Sequence, residues 1–428
     1  MKEIFKKIIA KILELEARIF LRRHPDTKII LVGGNIGKTS TKDAVFEALK
    51  ASKKTVRKSA KSFNSELGLP LTILALPNAW SNIFMWTANV LKGFLLALFA
   101  KAPDILVLEL GADKKGDLSR VVSWLKADIL ILTYIPQTPV HVERFKNKEE
   151  LFDEKRQLLK SLKEDSVLVY DKDSKLLREF VEDFKGRKLS FALSQDADFL
   201  LSKPKAKCKD GKAESYFFEI KNGELSYKFE MRKNIGSQQA RPLAAAMASA
   251  EALGLELNLV SEKLKKRPRS KGRMSLLKGK LNSMILDDTY NSSPKAALAA
   301  LDTLGDFACI KGKKIAVLGD MLELGKFAAE AHKEVLERAI SLADEIFLMG
   351  PLFKEASKAF PGTQFRIYEK REWDKLSDDL LRILSDKDLI LLKASQSMRF
   401  EKIAAKLLAP EINAKEVLVR QEEAWLNR

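Results

Sequence analysis

A glycine-rich turn set between an apolar run and a helical pattern constrains this chain more than any other feature. The run KIILV (28–32) leads into GGNIGKTST (33–41), and TKDAVFEALK (41–50) follows with helical spacing. A buried strand that ends in glycines and opens a helix aims backbone N–H groups and the positive end of the helix dipole at one point. That is an anion site suited to nucleotide phosphates. Gly34, Asn35, Ile36, Gly37, Lys38, Thr39 and Ser40 are the candidate phosphate-binding residues. Lys38 brings charge to the outer phosphates, and Thr39 offers a hydroxyl to Mg2+. The spacing Gly34-x-x-Gly37-Lys38-Thr39 is shorter than usual, because Val32 stands where the first glycine would be. The plain alternative is a glycine turn with a solvated lysine.

The length of 428 residues predicts two or three domains. A net charge of +18 admits nucleic acid, an anionic membrane surface or polyanionic small substrates as partners. No zinc finger, helix-turn-helix or RNA-binding aromatic motif is found, which disfavours nucleic acid. Cys208 and Cys309 lie far apart without a CxxC. That spacing suits a reducing cytoplasm and argues against a disulfide scaffold.

Charges interrupt the apolar stretch of MKEIFKKIIAKILELEARIFLRR, so it is not a signal peptide. Ile4, Phe5, Ile8, Ile9, Ile12 and Leu13 instead share a helical face. Such a basic amphipathic helix either packs on its own domain or lies on a membrane. WSNIFMWTANVLKGFLLALFA (80–100) is the most apolar window. Asn82, Asn89, Lys92 and Gly93 argue against a span and for a buried helix or an interfacial hairpin.

From residue 28 to about 185, apolar strands (28–33, 104–110, 128–133, 166–170) alternate with helical patterns (38–51, 116–126, 147–163). This is the grammar of a mostly parallel sheet covered by helices. Residues 188–232 alternate apolar and polar around Asn222-Gly223, which predicts antiparallel hairpins. An alanine-rich helix is expected at 240–253. The basic stretch KLKKRPRSKGR (263–273) reads as a linker. Strand and helix patterns then resume in a second α/β unit.

Glu109 closes the apolar strand DILVLEL, at the carboxyl edge where open α/β sheets bind ligands. It is a candidate Mg2+ ligand, with a surface carboxylate as the alternative. His141 follows the next strand and is either a second ligand or a plain loop histidine.

GGNIGKTST, KSFNSELGLPLTIL (61–74), LELGAD (108–113), TPVHVERF (138–145), GRM (272–274), DDTYNSSP (287–294), VLGDMLELG (317–325) and KASQSMRFE (393–401) occur in the order found in the Mur ligases. The chain resembles that family over about residues 28–410. Within it, the likeness is greatest to the branch that adds D-alanyl-D-alanine to a UDP-muramoyl tripeptide. The resemblance implies an α/β chain with three parts. Residues 1–27 are an amphipathic helix. Residues 28–271 are a central P-loop domain, a mostly parallel sheet with an antiparallel β insertion. Residues 272–428 are a Rossmann-like α/β domain.

The resemblance also implies an ATP- and Mg2+-dependent amide ligase of cell-wall precursor synthesis. Such a ligase takes a muramoyl-peptide acceptor and a D-amino-acid dipeptide and works through an acyl phosphate. By the family pattern, Lys38 neutralises phosphate charge, Thr39 and Glu109 hold one metal ion and His141 a second, and Lys155 is carbamylated to help place it. Asn64 and Ser65 border the reacting carboxylate. Arg273 reaches back to the ATP phosphates, and Asp288, with Tyr290 and Asn291, lies at the ribose. Closure about residues 266–272 would assemble this site. Asp320, Lys393 and Ser395 face the amine substrate.

Departures from the pattern are Gln238-Gln239 for a His-Asn near the adenine, Pro242 for a later asparagine, and Lys393-Ala394-Ser395-Gln396 for Lys-Gly-Ser-Arg. Residues 1–27 are too few for the domain that holds the UDP-sugar in the family. The readings carried forward are a ligase on the usual acceptor, a ligase on a lipid-linked one, and a nucleotide-binding scaffold without turnover. The expected setting is a cytoplasmic monomer, with contact at the inner face of the membrane as the variant.

Overall fold

The computed structural model describes residues 2–59, 67–79, 82–112, 114–136, 145 and 147–426. Two sheets organise them. The first is built from β1 (Lys28–Gly33), β2 (Val56–Lys58), β3 (Ile105–Glu109), β4 (Ala127–Leu132), β5 (Leu162–Asp171), β6 (Arg187–Ala192), β7 (Phe199–Leu201), β8 (Lys205–Lys209), β9 (Lys212–Asn222) and β10 (Leu225–Met231). Its order is β10-β9-β7-β6-β5-β4-β1-β3-β2, with β8 also on β9. The stretch from β2 to β7 is parallel, and β8, β9 and β10 are antiparallel. Asn222 pairs with Leu225 around the expected turn. The antiparallel region starts later than 188, because β6 continues the parallel sheet.

β1 lies between β3 and β4 and is apolar on both faces, as a covered parallel strand must be. Ile30 and Val32 point into one core and Ile29 and Leu31 into the other. Helices α1 (Lys2–Arg23), α2 (Lys38–Leu49), α3 (Gly68–Ile73), α4 (Ile83–Phe99), α5 (Asp117–Val122), α6 (Lys148–Arg156), α7 (Lys175–Val181), α8 (Ser237–Ala252) and α9 (Leu257–Lys265) surround this sheet. The segment expected as helix to 163 leaves helical geometry at Ser161 and enters β5 at Leu162. The expected linker begins inside α9, where Val260 and Leu264 are buried and the lysines lie on the polar side.

Within the 80–100 window Ile83–Phe99 is a helix, but not a buried one: only Asn89, Gly93 and Ala97 of α4 are buried. Among the described residues, no helix is long and apolar enough to cross a membrane.

The second sheet has the order β11-β12-β16-β13-β14-β15. It uses β11 (Ser275–Lys278), β12 (Met284–Asp288), β13 (Lys314–Gly319), β14 (Glu345–Met349), β15 (Arg366–Tyr368) and β16 (Leu389–Lys393). All pairs are parallel except β11 on β12. Around it lie α10 (Pro294–Asp306), α11 (Ala328–Leu342), α12 (Pro351–Ser357), α13 (Trp373–Ile383) and α14 (Glu401–Leu407).

The two sheets share one apolar core, which joins Tyr216 and Phe218 of β9 to Leu301, Leu304 and Phe307 at α10. The Tyr216 hydroxyl donates to the Asp306 carboxylate, and Lys311 N–H donates to Gly211 O at 2.9 Å. Cys208 and Cys309 are joined in a disulfide across this contact. That corrects the reading of the two cysteines as suited to a reducing cytoplasm and arguing against a disulfide. A separation of 101 residues carries no pairing signal, and only the fold brings β8 against the end of α10.

Candidate functional site

The loop after β1 is held by its own backbone. Gly34 has φ +122° and packs on Thr133, so that a Cβ would lie 2.3 Å from the Thr133 hydroxyl. Only glycine fits there. Gly37 has φ +86° with open space where a Cβ would point, and it caps the N-terminus of α2. Thr133 N–H donates to Gly33 O (2.9 Å) and Ile36 N–H to Tyr134 O (3.1 Å), which tie the loop to the end of β4. The result is a helix N-terminus with a clear approach, as an anion requires.

Two lysines converge on this loop from different elements. Lys38 Nζ donates to Gly34 O (3.4 Å) and Asn35 O (3.3 Å), and Lys155 Nζ from α6 donates to the same Gly34 O (3.3 Å). Lys155 is buried, and burial, followed by the charge of Lys38, pushes its ammonium down to about 7.

Thr39 donates its hydroxyl to Glu109 Oε1 (3.1 Å), joining α2 to the end of β3. Glu109 is buried, its N–H donates to the Ser59 hydroxyl (3.2 Å), and its Oε2 accepts no hydrogen bond among the described residues. Lys42 was missed in the sequence. It is fully buried one turn into α2, 3.7 Å from Glu109 Oε2 and 3.8 Å from Asp43 Oδ1. Burial lowers its pKa against the pull of these carboxylates. Its position three residues after Thr39 was the available signal, since that spacing shares a helix face. A buried carboxylate with an unsatisfied oxygen beside a hydroxyl is a donor set for a hard cation, so these residues fit Mg2+.

Arg273 lies where the connecting segment enters the second sheet. Asn234 pins that segment: its side-chain amide donates to Ser270 O (2.7 Å) and Arg273 O (2.8 Å), and its Oδ1 accepts from Ser270 N–H (2.8 Å). Gln239 adds a bond to Arg273 O (3.2 Å). The Arg273 guanidinium stacks 4.1 Å from the Tyr290 ring and is near enough to lower the Lys42 pKa. It therefore spans from the second sheet toward the loop of the first. The Gln238 amide nitrogen and oxygen, and Gln239 Oε1, are buried without hydrogen-bond partners among the described residues.

Asp288, Tyr290, Asn291 and Lys393 form one knot at the carboxyl edge of the second sheet. Lys393 is buried, paired with Asp288 Oδ2 (2.8 Å), and donates to Asn291 O (2.5 Å). Asp288 Oδ1 accepts from Met274 N–H (3.1 Å), and Tyr290 N–H donates to Gly272 O (3.0 Å).

Asp320, at the end of β13, accepts from Leu352 N–H (3.2 Å) and Phe353 N–H (3.0 Å), so it caps α12. Burial raises its pKa against these bonds. Ser395 Oγ accepts from Leu322 N–H (2.8 Å). Buried His332 accepts from Met321 N–H at Nε2 (2.9 Å), which fixes the loop after Asp320. Asp320, Lys393 and Ser395 thus share one edge and are tied into it. Asn64, Ser65 and His141 lie outside the described residues.

Residues 32–250 match the family described as Mur ligase middle domain, and residues 272–396 match Mur ligase, glutamate ligase domain. The UDP-N-acetylmuramoyl-tripeptide–D-alanyl-D-alanine ligase of Bacillus subtilis is 28% identical over 395 residues, 89% of this chain and 76% of that protein. Its namesake in Borreliella burgdorferi is 27% identical over 408 residues, 92% of this chain and 77% of that one. The crystal structure of MurF ligase from Thermotoga maritima in complex with ADP is similar with a TM-score of 0.76 at 25% identity, over 96% of this chain and 84% of that chain. Folylpolyglutamate synthase of Mycobacterium tuberculosis, at 17% identity and a TM-score of 0.62 over 92% of this chain and 94% of that one, shares the fold.

Proposed function

The chain belongs to the Mur ligase family, and on that premise we propose that it is an ATP-dependent, ADP-forming ligase that joins D-alanyl-D-alanine to a muramoyl peptide in peptidoglycan precursor synthesis. The named relatives support the substrate pair. The observation that carries the chemistry is the convergence of Lys38, Lys155, Thr39 and Glu109 around one glycine loop.

In this proposal residues 28–271 bind ATP, residues 272–428 bind the amine, and residues 1–27 are an accessory helix. A carboxylate oxygen of the acceptor attacks the γ-phosphorus, and ADP leaves. The dipeptide amine then attacks the acyl carbon, loses a proton, and inorganic phosphate departs. Two anions must meet in the first step, so charge neutralisation dominates the barrier. Lys38 supplies it at the phosphates, with Arg273 reaching across from the second sheet. Thr39 and Glu109 hold Mg2+, which when bound neutralises phosphate charge; His141 is assigned to a second ion.

Lys155 is assigned as a carbamate. Its depressed pKa leaves a large neutral fraction near pH 7, and only the neutral amine adds to CO2. The product is an anion, which turns the repulsion between Lys155 and Lys38 into attraction. Gln238 and Gln239 are assigned to the adenine edge, since an amide can both donate and accept. Asp288, Tyr290 and Asn291 shape the ribose end. Asp320, Lys393 and Ser395 shape the edge that receives the dipeptide, and Asn64 and Ser65 border the acceptor carboxylate.

A lipid-linked acceptor is the second reading, favoured by the exposed apolar face of α4. In both readings the enzyme acts as a monomer on the cytoplasmic side, where ATP is available. The test is ADP formation by the purified chain with UDP-linked or lipid-linked muramoyl tripeptide, with and without D-alanyl-D-alanine. Turnover that needs both substrates and Mg2+, and is abolished in Lys38→Ala, is expected. Silence with every acceptor overturns the proposal.

A further inference from the structure

The α1–α4 pair exposes apolar surface that nothing in the described chain covers. On α4, Phe84 is 87% exposed, Phe99 77% and Leu91 65%, with Phe94 and Leu95 more than half exposed. Lys92 is the one charged residue in this helix. On α1, Ile8, Ile12 and Leu15 are exposed. Exposed Lys7 and Lys11 immediately precede Ile8 and Ile12, and exposed Arg22 lies two turns beyond Leu15 on the same side of the helix.

The two helices form one unit. Arg23 Nη1 donates to Ala97 O (2.8 Å), and the Glu16 carboxylate lies where a Cβ on Gly93 would be. Ile12 precedes Glu16 by four residues, and Phe94 precedes Ala97 by three. The exposed stripes therefore border the same seam.

We propose that this face docks the protein on the surface of a bilayer that carries anionic lipids. The phenylalanines and leucines enter the boundary between headgroups and acyl chains, and the basic band of α1 meets lipid phosphates. No described helix crosses a membrane, so the pair lies on the surface. Charge decides the occupant: the chain carries +18, and a second copy would set one basic band against another, whereas an anionic bilayer complements it. The docking surface is made by α1 and α4, and Lys38, Thr39, Glu109 and Lys155 all lie on other elements.

The test is flotation of the full chain with phosphatidylcholine vesicles made with and without phosphatidylglycerol, in the absence of nucleotide. Association with the phosphatidylglycerol vesicles is expected, and it weakens as salt rises. A Phe84→Ser/Phe99→Ser double variant loses roughly tenfold or more in vesicle affinity. Its thermal unfolding and ATP turnover stay unchanged, because both side chains face solvent. Lys7→Glu/Lys11→Glu removes the preference for anionic vesicles. Failure of the folded protein to float at low salt overturns the proposal. So does a dimer in solution that the double variant abolishes, since the face then belongs to a second copy. A wild-type chain that floats but shows no turnover with any acceptor would count against the ligase assignment alone.

Discussion

The Thr39 hydroxyl and the Glu109 carboxylate meet at 3.1 Å, although 70 residues separate them in the chain. One comes from the first turn of α2 and the other from the last position of β3. Parallel pairing of β1 with β3 aligns Val32 with Glu109, so both strands end at the same edge. The buried Lys42 ammonium on the far side of Glu109 keeps that carboxylate charged company without closing its second oxygen.

Glu109→Gln keeps the shape and the bond to Thr39 but removes the charge. Turnover is expected to fall about 10²–10³-fold, with the Mg2+ concentration for half-maximal rate rising about tenfold or more. Titration of the rate with Mg2+ checks this. An unchanged Mg2+ dependence would remove Glu109 from the metal site.

Lys155→Ala removes the group assigned as a carbamate. Turnover is expected to be lost and then partly restored by added formate or acetate, since a small carboxylate can occupy the vacated volume. Lys155→Arg keeps positive charge and is expected to stay inactive even with these additives. Full activity of Lys155→Ala would show that no carbamate is needed.

The disulfide between Cys208 and Cys309 closes a loop across both sheets. In the chain-entropy model a loop of this length contributes about 4–5 kcal/mol. Cys208→Ser, or reduction of the wild type, should lower the urea midpoint by a matching amount. If the midpoint is the same with and without reductant, the shared core alone holds the sheets together.

Glu16 should make stability depend on pH. Burial pushes its carboxyl from 4.5 up to about 7, and its Oε2 accepts no hydrogen bond among the described residues. The folded state thus holds the proton more tightly than the unfolded chain. The contribution is complete below pH 4.5 and is lost as pH rises through about 7. Glu16→Gln should flatten that decline and exceed the wild type in stability above neutral pH by roughly 3 kcal/mol at most. Parallel urea titrations across pH would show it, and identical slopes would contradict it.

The parts of this architecture that a local pattern can carry were readable in the sequence. KIILV followed by glycines needs no distant information to announce a strand, a turn and a helix, and β1 and α2 lie as expected. The same holds for β13 and β16, which are apolar on both faces. What escaped depends on contacts between distant segments. Lys263 and Lys265 suggest a linker until Val260 and Leu264 find a buried face, which puts these two lysines in the last turn of α9 and starts the connecting segment after Lys265. Ser275–Lys278 is too short to register as a strand until it pairs with β12. Asn234, which fixes the backbone of Arg273, is an ordinary loop asparagine until Ser270 and Arg273 come within reach. In the apolar window of α4 the pattern gives the helix, but whether its face is covered depends on the neighbours.

The most direct measurement follows oxygen. Acceptor labelled with 18O in the carboxylate that becomes the amide would be turned over with ATP, Mg2+ and D-alanyl-D-alanine, and the released phosphate analysed by mass. Transfer of the γ-phosphoryl group to that carboxylate predicts one labelled oxygen in each phosphate. Unlabelled phosphate alongside peptide product would contradict the account.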